Sequence, residues 1–109
     1  MKNINRLPKQ QGDVLLIPVD ATALEGKQTP ISKRRCVLAE GEATGHAHVV
    51  EDDEAALVQI GEKMLLSLAK PATVVHEEHG PIKLEAGIWE IGRVREFDYL
   101  KDMVTPVRD

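Results

Sequence analysis

Apolar residues along this chain fall in short runs, separated by glycine, proline and charged residues. Turn-forming residues recur at a spacing of roughly 8–12 residues, which is typical of short strands in a sandwich or barrel. The pattern therefore predicts an all-β fold, a small barrel or sandwich of about 7–8 short strands. The predicted strands are residues 13–19, 33–39, 46–50, 55–60, 63–69, 72–76, 82–84 and 88–95.

The connections between these strands are predicted from their turn-formers. Residues 1–12 are interpreted as a polar arm or an edge segment, and residues 20–32 and 40–45 as loops. The acidic run 51–54 is predicted to be a solvated turn. Pro18 is expected to place the end of its strand at a sheet edge, because proline cannot donate to a strand ladder.

Two hairpins are predicted, and one of them has a competing interpretation. Residues 55–60 and 63–69 would pair across Gly61-Glu62, but Met64, Leu65 and Leu68 also fit a helix over residues 62–70. The second hairpin would join 82–84 to the last strand. Beyond it, residues 97–104 are expected to form a helical turn or an edge strand, followed by a polar tail at 105–109.

Composition limits which classes of protein the chain can belong to. The 109 residues suit a single domain over 1–109, with a net charge of −4 and three aromatic residues. Few aromatics and an acidic balance argue against nucleic-acid binding, and no apolar run is long enough to span a membrane. A single cysteine, Cys36, and no signal-like start favour a cytoplasmic protein. Cys36 is expected to be a small buried hydrophobe.

All four histidines lie in two short segments, Gly45-His46-Ala47-His48 and His76-Glu77-Glu78-His79. Two residues at i and i+2 of a strand face the same side, with Cα atoms about 6.5–7 Å apart. Neutral imidazole is the commonest protein metal ligand, so the pattern predicts a metal site. The competing interpretation is that these are surface histidines in charged loops.

The prediction names a ligand set. His46 and His48 would bind with His76, which ends a predicted strand, as in three-histidine zinc sites. Glu78 or His79 would be the fourth ligand or a proton carrier, and these two are the candidate catalytic residues. The set suits zinc, iron or manganese. The HEEH segment is not the HExxH zinc motif, because its histidines are three residues apart and Gly80-Pro81 prevents a continuing helix.

The order Gly41, His46, His48, Glu54, Gly61 resembles the first motif of the cupin superfamily, with two gaps one residue off. Of the second cupin motif only Gly87 is present, with Glu85 at the proline position and Glu90 at the histidine position. The resemblance implies a small β-barrel with a metal at its mouth. The missing ligand would then come from His76, His79 or Glu90, or the site is degenerate.

A second similarity covers most of residues 12–99. The pattern GE-x-TGHAH, HEEH-x-PI and REFDY resembles small bacterial or phage-borne proteins of unassigned function. It implies no activity, because one fold hosts many functions.

Two functions are consistent with these patterns. The first is a cupin-like metal-binding protein, which as an enzyme would act on a small polar substrate. The second is a non-catalytic β-barrel that serves as an interaction or assembly module, with structural or surface histidines. A homodimer fits either function, because small barrels often cover edge strands by association. The metal site requires the two histidine segments to meet in space.

Overall fold

The computed structural model of the protein describes residues 6–40 and 46–94. The predicted loop around Gly41 and Gly45, the predicted element at 97–104 and the tail at 105–109 lie outside the described residues. The described residues form eight strands and one short 3-10 turn, so the all-β prediction is confirmed. The strands are β1 (Lys9–Gln11), β2 (Val14–Val19), β3 (Thr29–Glu40), β4 (Ala47–Ile60), β5 (Lys63–Leu68), β6 (Ala72–Val75), β7 (Ile82–Leu84) and β8 (Gly87–Arg93).

The strands form one antiparallel sheet in the order β1-β2-β8-β5-β4-β6-β7, with β3 along the opposite edge of β4. Strand β4 is long enough to join two halves of the sheet. Its second half pairs with β5, whereas Val49 and Val50 in its first half pair with β6. The sheet curls until Gln11 of β1 donates to the carbonyl of Val74 in β6, which nearly closes a barrel.

The interior is aliphatic around one tryptophan. Trp89 is fully buried, and its indole N–H donates to the carbonyl of Glu85. Cys36 is buried as predicted, and burial raises the pKa of its thiol. The largest buried side chains besides Trp89 are Leu16, Leu57, Leu65, Leu66, Leu84, Val14, Val50 and Val74.

Several local predictions are confirmed. β4 and β5 form the predicted hairpin, and Gly61 takes a positive φ of 62° at its turn. The competing helix over 62–70 is therefore wrong. β1 runs along only Val14 to Leu16 of β2, so Pro18 lies where one side of β2 has no strand neighbour among the described residues. The 1–12 segment supplies this edge strand β1.

The acidic turn predicted at 51–54 is wrong, because these residues continue β4. The carboxylate of Glu51 accepts a hydrogen bond from Arg35 on β3 at 3.1 Å. Asp52 lies 3.8 Å from the ammonium group of Lys70. A cross-strand partner in Arg35 and the nearby Lys70, just after β5, make this acidic stretch compatible with a ladder.

Two further predictions are corrected. Residues 29–32 were assigned to a loop but begin β3, because Thr29 and Pro30 pair with Gln59 and Val58 of β4. The predicted C-terminal hairpin is also wrong. β7 pairs with β6, whereas β8 lies between β2 and β5. Tertiary packing decides which strands are neighbours in the sheet, and adjacency in the sequence does not fix it.

Candidate histidine site

The four histidines converge at one end of the β4–β6 pair. The pair Val49–Val75 sets the register of the two antiparallel strands, so the residue before Val49 lies near the residue after Val75. Those residues are His48 and His76, whose ring centroids are 4.3 Å apart. The two histidine segments therefore meet in space.

The remaining rings lie around His76. His79 is 4.6 Å from His76 and His46 is 5.6 Å from it, measured between ring centroids. His48 and His79 lie nearly parallel at 6.0 Å. We refer to His46, His48, His76 and His79 as the histidine cluster.

His48 is the buried member of the cluster, with 3% of its side chain exposed. Its Nδ1 lies 2.8 Å from Oε1 of Gln11. Burial lowers the pKa of His48 below its ordinary 6.5, and positive charge on His76 and His79 would lower it further. The nearby Asp13 carboxylate opposes this effect only in part. His48 is therefore neutral at pH 7.

Asp13 lies on the other side of His48, in the turn between β1 and β2. Its Oδ1 is 3.9 Å from Nε2 of His48, and its Oδ2 accepts hydrogen bonds from Arg93 Nε at 3.2 Å and NH2 at 3.1 Å. Partial burial would raise the pKa of Asp13, but the guanidinium outweighs it and the pKa is lowered. A carboxylate oriented by Arg93 thus faces the cluster.

The carboxylates of the HEEH segment have separate contacts. Glu78 Oε2 lies 3.6 Å from Nε2 of His46, with the Glu78 side chain mostly exposed. The backbone N–H of Glu78 donates to Nδ1 of His76 at 3.0 Å. Glu77 accepts a hydrogen bond from the N–H of Ala47 at 2.9 Å, which lowers the pKa of Glu77. Glu77 therefore ties the loop to the start of β4.

Gly12 allows the β1–β2 turn to approach the cluster. It has a positive φ of 59°, and a Cβ built on it would lie 2.7 Å from Nε2 of His79 and 3.3 Å from Cε1 of His48. The space that a side chain at position 12 would fill is therefore occupied by the rings of His79 and His48.

Among residues 6–40 and 46–94, no group of three or more His, Cys, Asp or Glu side chains is arranged as a metal site. The local hydrogen bonds give one reason. Nδ1 of His76 is engaged by the Glu78 N–H, so a neutral His76 carries its proton on Nε2. His76 would have to rotate to offer a lone pair to an ion.

Two cavities lie among residues of the site, one with His76 in its wall and the other with Arg93. The first, of about 330 Å³, is lined by Arg35, Ala47, Val49, Glu51, Val75, His76 and Glu77. The other, of about 230 Å³, is lined by Leu38, Glu62, Met64, Ile91, Gly92 and Arg93. Arg93 joins the second cavity to Asp13 and hence to His48.

The structure brings together all five residues that the sequence predicted for the site, namely His46, His48, His76, Glu78 and His79. Sequence reasoning missed Gln11, Gly12 and Asp13, which lie far from them along the chain. The available signal was Gly12-Asp13 as a two-residue hairpin turn. Arg93 forms an ion pair with Asp13, with Nη2 and Oδ2 3.1 Å apart.

Of the cupin-like positions, Glu54 lies within β4 and is exposed, and Glu90 lies in β8 opposite Ile17 and Leu65. Gly41 lies outside the described residues. The ligand roles that the cupin resemblance implies stay predictions. In the part of the chain that the structure describes, no helix is long and apolar enough to cross a membrane.

Comparison with known proteins gives one match. No curated protein and no solved structure matches the chain. A family model described as a domain of unknown function (DUF8820) matches residues 10–94. The match includes all four histidines together with Gln11, Asp13 and Arg93. The chain therefore belongs to the DUF8820 family.

Proposed function

We propose that the protein binds one divalent transition-metal ion at the histidine cluster. The observation that carries the proposal is the convergence of four imidazole rings, from segments about thirty residues apart, within centroid distances of 4.3–6.0 Å. Grouped imidazoles next to carboxylates form a nitrogen–oxygen donor set. Such a set suits zinc, iron or manganese.

The protonation states favour binding. A metal competes with protons for imidazole lone pairs, so affinity rises when the histidine is neutral. The lowered pKa of His48 means that no proton has to leave it at pH 7. Asp13 and Glu78 would supply negative charge on two sides of the cluster.

Binding would require small rearrangements of exposed side chains. His76 would give up the hydrogen bond that it accepts from the Glu78 N–H and would bind the ion instead. His46 and His79 would rotate toward His48. Rotations of this kind are inexpensive for side chains with solvent on one side. His48, being buried, would be the fixed ligand around which the other rings gather.

A metal-dependent reaction on a small polar substrate is the enzymatic form of this proposal. A bound ion would polarise a ligand oxygen or lower the pKa of a bound water. The cavity of about 330 Å³ would hold such a ligand, because the proposed metal ligand His76 lies in its wall. Glu78 and His79, both exposed, are the candidates for moving a proton.

The experiment is metal quantification per chain in protein purified without a histidine tag. We expect about one equivalent of zinc, iron or manganese, lost in the double variant His46→Ala/His48→Ala. The matched control is Asp53→Ala/Gln59→Ala, which truncates two exposed side chains of the same strand and should retain the metal. Absence of metal from the unsubstituted protein, even after reconstitution with each ion, would contradict the proposal.

The second candidate function, an interaction module, is favoured by the edge of β3. Among the described residues β3 pairs with β4 alone, and Ile31 on it is 45% exposed. An unpaired edge can bind another strand, here that of a second copy, giving a homodimer. Light scattering after size exclusion should then give a dimer mass that Ile31→Lys reduces to the monomer mass. A monomer at every concentration would contradict this candidate.

A further inference from the structure

Gln11 is a polar side chain in the interior of the barrel, with 2% of the residue exposed. Its amide is fully engaged in three directions. Nε2 donates to the carbonyl of Val74 at 3.1 Å and to the carbonyl of Gly80 at 2.9 Å. Oε1 lies 2.8 Å from Nδ1 of His48.

These partners fix which end of the amide faces His48. A rotated amide would bring Oε1 against the carbonyl oxygens of Val74 and Gly80, and neither carbonyl can donate a hydrogen bond. The two buried carbonyl oxygens would then face a third oxygen with no hydrogen between them. Each would lose the hydrogen bond that offsets its desolvation. Gln11 therefore presents an acceptor to His48.

The orientation of the amide determines where the His48 proton is. Because Oε1 of Gln11 can only accept, Nδ1 of His48 must donate and carries a hydrogen. A neutral imidazole has one N–H, so Nε2 of His48 bears the lone pair. Free neutral histidine more often carries its proton on Nε2, so the Nδ1–H form is its less common tautomer.

The Nε2 lone pair of His48 faces a carboxylate oxygen of Asp13, which also carries lone pairs. Nε2 of His48 lies 3.9 Å from Oδ1 of Asp13, while Oδ2 of the same carboxylate is held by Arg93. With Nδ1 carrying the proton, neither Nε2 nor Oδ1 can donate to the other. Two such atoms at this distance are stabilised by a cation or a hydrogen-bond donor between them.

We propose that Gln11 is the positioning residue of the site, because it locks His48 in the Nδ1–H tautomer and directs the Nε2 lone pair toward the position shared with Asp13. The tautomer depends only on the fold. Its consequence for metal affinity rests on the proposed function. Outer partners of this kind orient metal-binding histidines and raise their basicity.

The test uses the full chain, metal-free and labelled with ¹⁵N-histidine, at a pH above 7. Long-range ¹H–¹⁵N correlation spectra distinguish a protonated ring nitrogen from one with a lone pair. We expect His48 to give a protonated Nδ1 and an unprotonated Nε2. An Nε2–H tautomer in the unsubstituted protein would overturn the proposal, whatever any variant does.

Variants show whether Gln11 is the cause. Gln11→Leu removes the acceptor and should release His48 toward the Nε2–H tautomer. Gln11→Met keeps the length of the side chain without a strong acceptor and should release His48 in the same way. The matched control is Gln59→Leu, since Gln59 is exposed on β4 and bonds only its own turn among the described contacts. An unchanged His48 signal in folded Gln11→Leu would overturn the assignment, and if that variant does not fold, the unsubstituted protein and Gln11→Met decide it.

Zinc titration then separates this proposal from the proposed function. We expect Gln11→Leu to bind zinc 10–100-fold more weakly than the unsubstituted protein, with Gln59→Leu unchanged. A correct tautomer in a protein that binds no metal would support the positioning role and contradict the metal function. Tight zinc binding with equal affinity in Gln11→Leu would overturn the positioning role in metal binding.

Discussion

Gly12 and His79 are so close that a side chain on Gly12 would overlap the imidazole ring of His79. A Cβ on Gly12 would lie 2.7 Å from Nε2 of His79, closer than real Cβ contacts. The φ of Gly12, 59°, is also in the left-handed region that other residues enter at a cost. Turn geometry and histidine packing thus require glycine at the same position.

We expect Gly12→Ala to destabilise the protein more than Gly61→Ala. Gly61 has nearly the same φ, 62°, and nothing within 4 Å of its built Cβ. Its substitution should cost only the left-handed backbone term, about 1 kcal/mol. Gly12→Ala should cost more than this, because His79 must rotate away and the buried His48 lies 3.3 Å from the added Cβ. Urea denaturation measures both free energies, and equal costs would mean that His79 moves aside freely.

The metal-free protein should lose stability when the pH falls below 6.5. Burial lowers the pKa of His48 in the folded state, with Asp13 opposing and His76, His79 and Arg93 reinforcing the shift. Between the folded and unfolded pKa values the unfolded chain binds more protons, so stability falls on acidification. This group contributes at most about 1.4 kcal/mol per pH unit.

His48→Gln checks this assignment, because it keeps a polar side chain that does not titrate. We expect the free energy of unfolding of this variant to depend less on pH between 7.5 and 5.5. A slope equal to that of the unsubstituted protein would assign the pH dependence to other groups.

Arg6 should anchor the N-terminal segment through its guanidinium. It donates to the carbonyls of Ile88 and Val19 at 2.8 Å each, and its Cζ lies 5.0 Å from the ring centroid of Trp89. Arg6→Ala should cost about 2 kcal/mol, and Arg6→Lys should recover only part, because an ammonium cannot make the forked contact. Trp89 fluorescence during denaturation reports the change.

Lys9→Ala is the control for this prediction. Lys9 forms a 3.8 Å ion pair with a half-exposed Glu85, and such pairs contribute at most about 1 kcal/mol. A cost for Lys9→Ala as large as that for Arg6→Ala would contradict the anchoring role of Arg6.

Arg34 should be replaceable by glycine with a gain in stability. It has a φ of 70° at the β3 register shift between Lys33 and Arg35. The left-handed backbone costs a side-chain-bearing residue about 1–2 kcal/mol, of which glycine's extra entropy in the unfolded chain offsets about 0.5–1. Arg34→Gly should therefore stabilise by about 0.5–1 kcal/mol, whereas Thr73→Gly, in the regular ladder of β6 and β7, should destabilise. Thermal unfolding of the two variants gives the comparison.

Local sequence determined most of the strands. The β-branched run at Val14–Val19 and the apolar runs around Gly61 have the period and the turn residues of strands, and they form β2, β4 and β5. The sequence also determined which residues would supply chemistry, since the four histidines occupy only two segments. Their convergence needed one further fact, the pairing of β4 with β6.

Tertiary structure decided which strands are neighbours and what surrounds His48. The acidic stretch of β4 is a strand because Arg35 and Lys70 lie close to its carboxylates. Gln11 and Asp13 reach His48 only because the sheet curls and brings β1 beside β6. Local propensity acts over a few residues, whereas these contacts join positions that are 16 to 63 residues apart. Burial and barrel closure, which local sequence does not encode, therefore determined the protonation and orientation of the site.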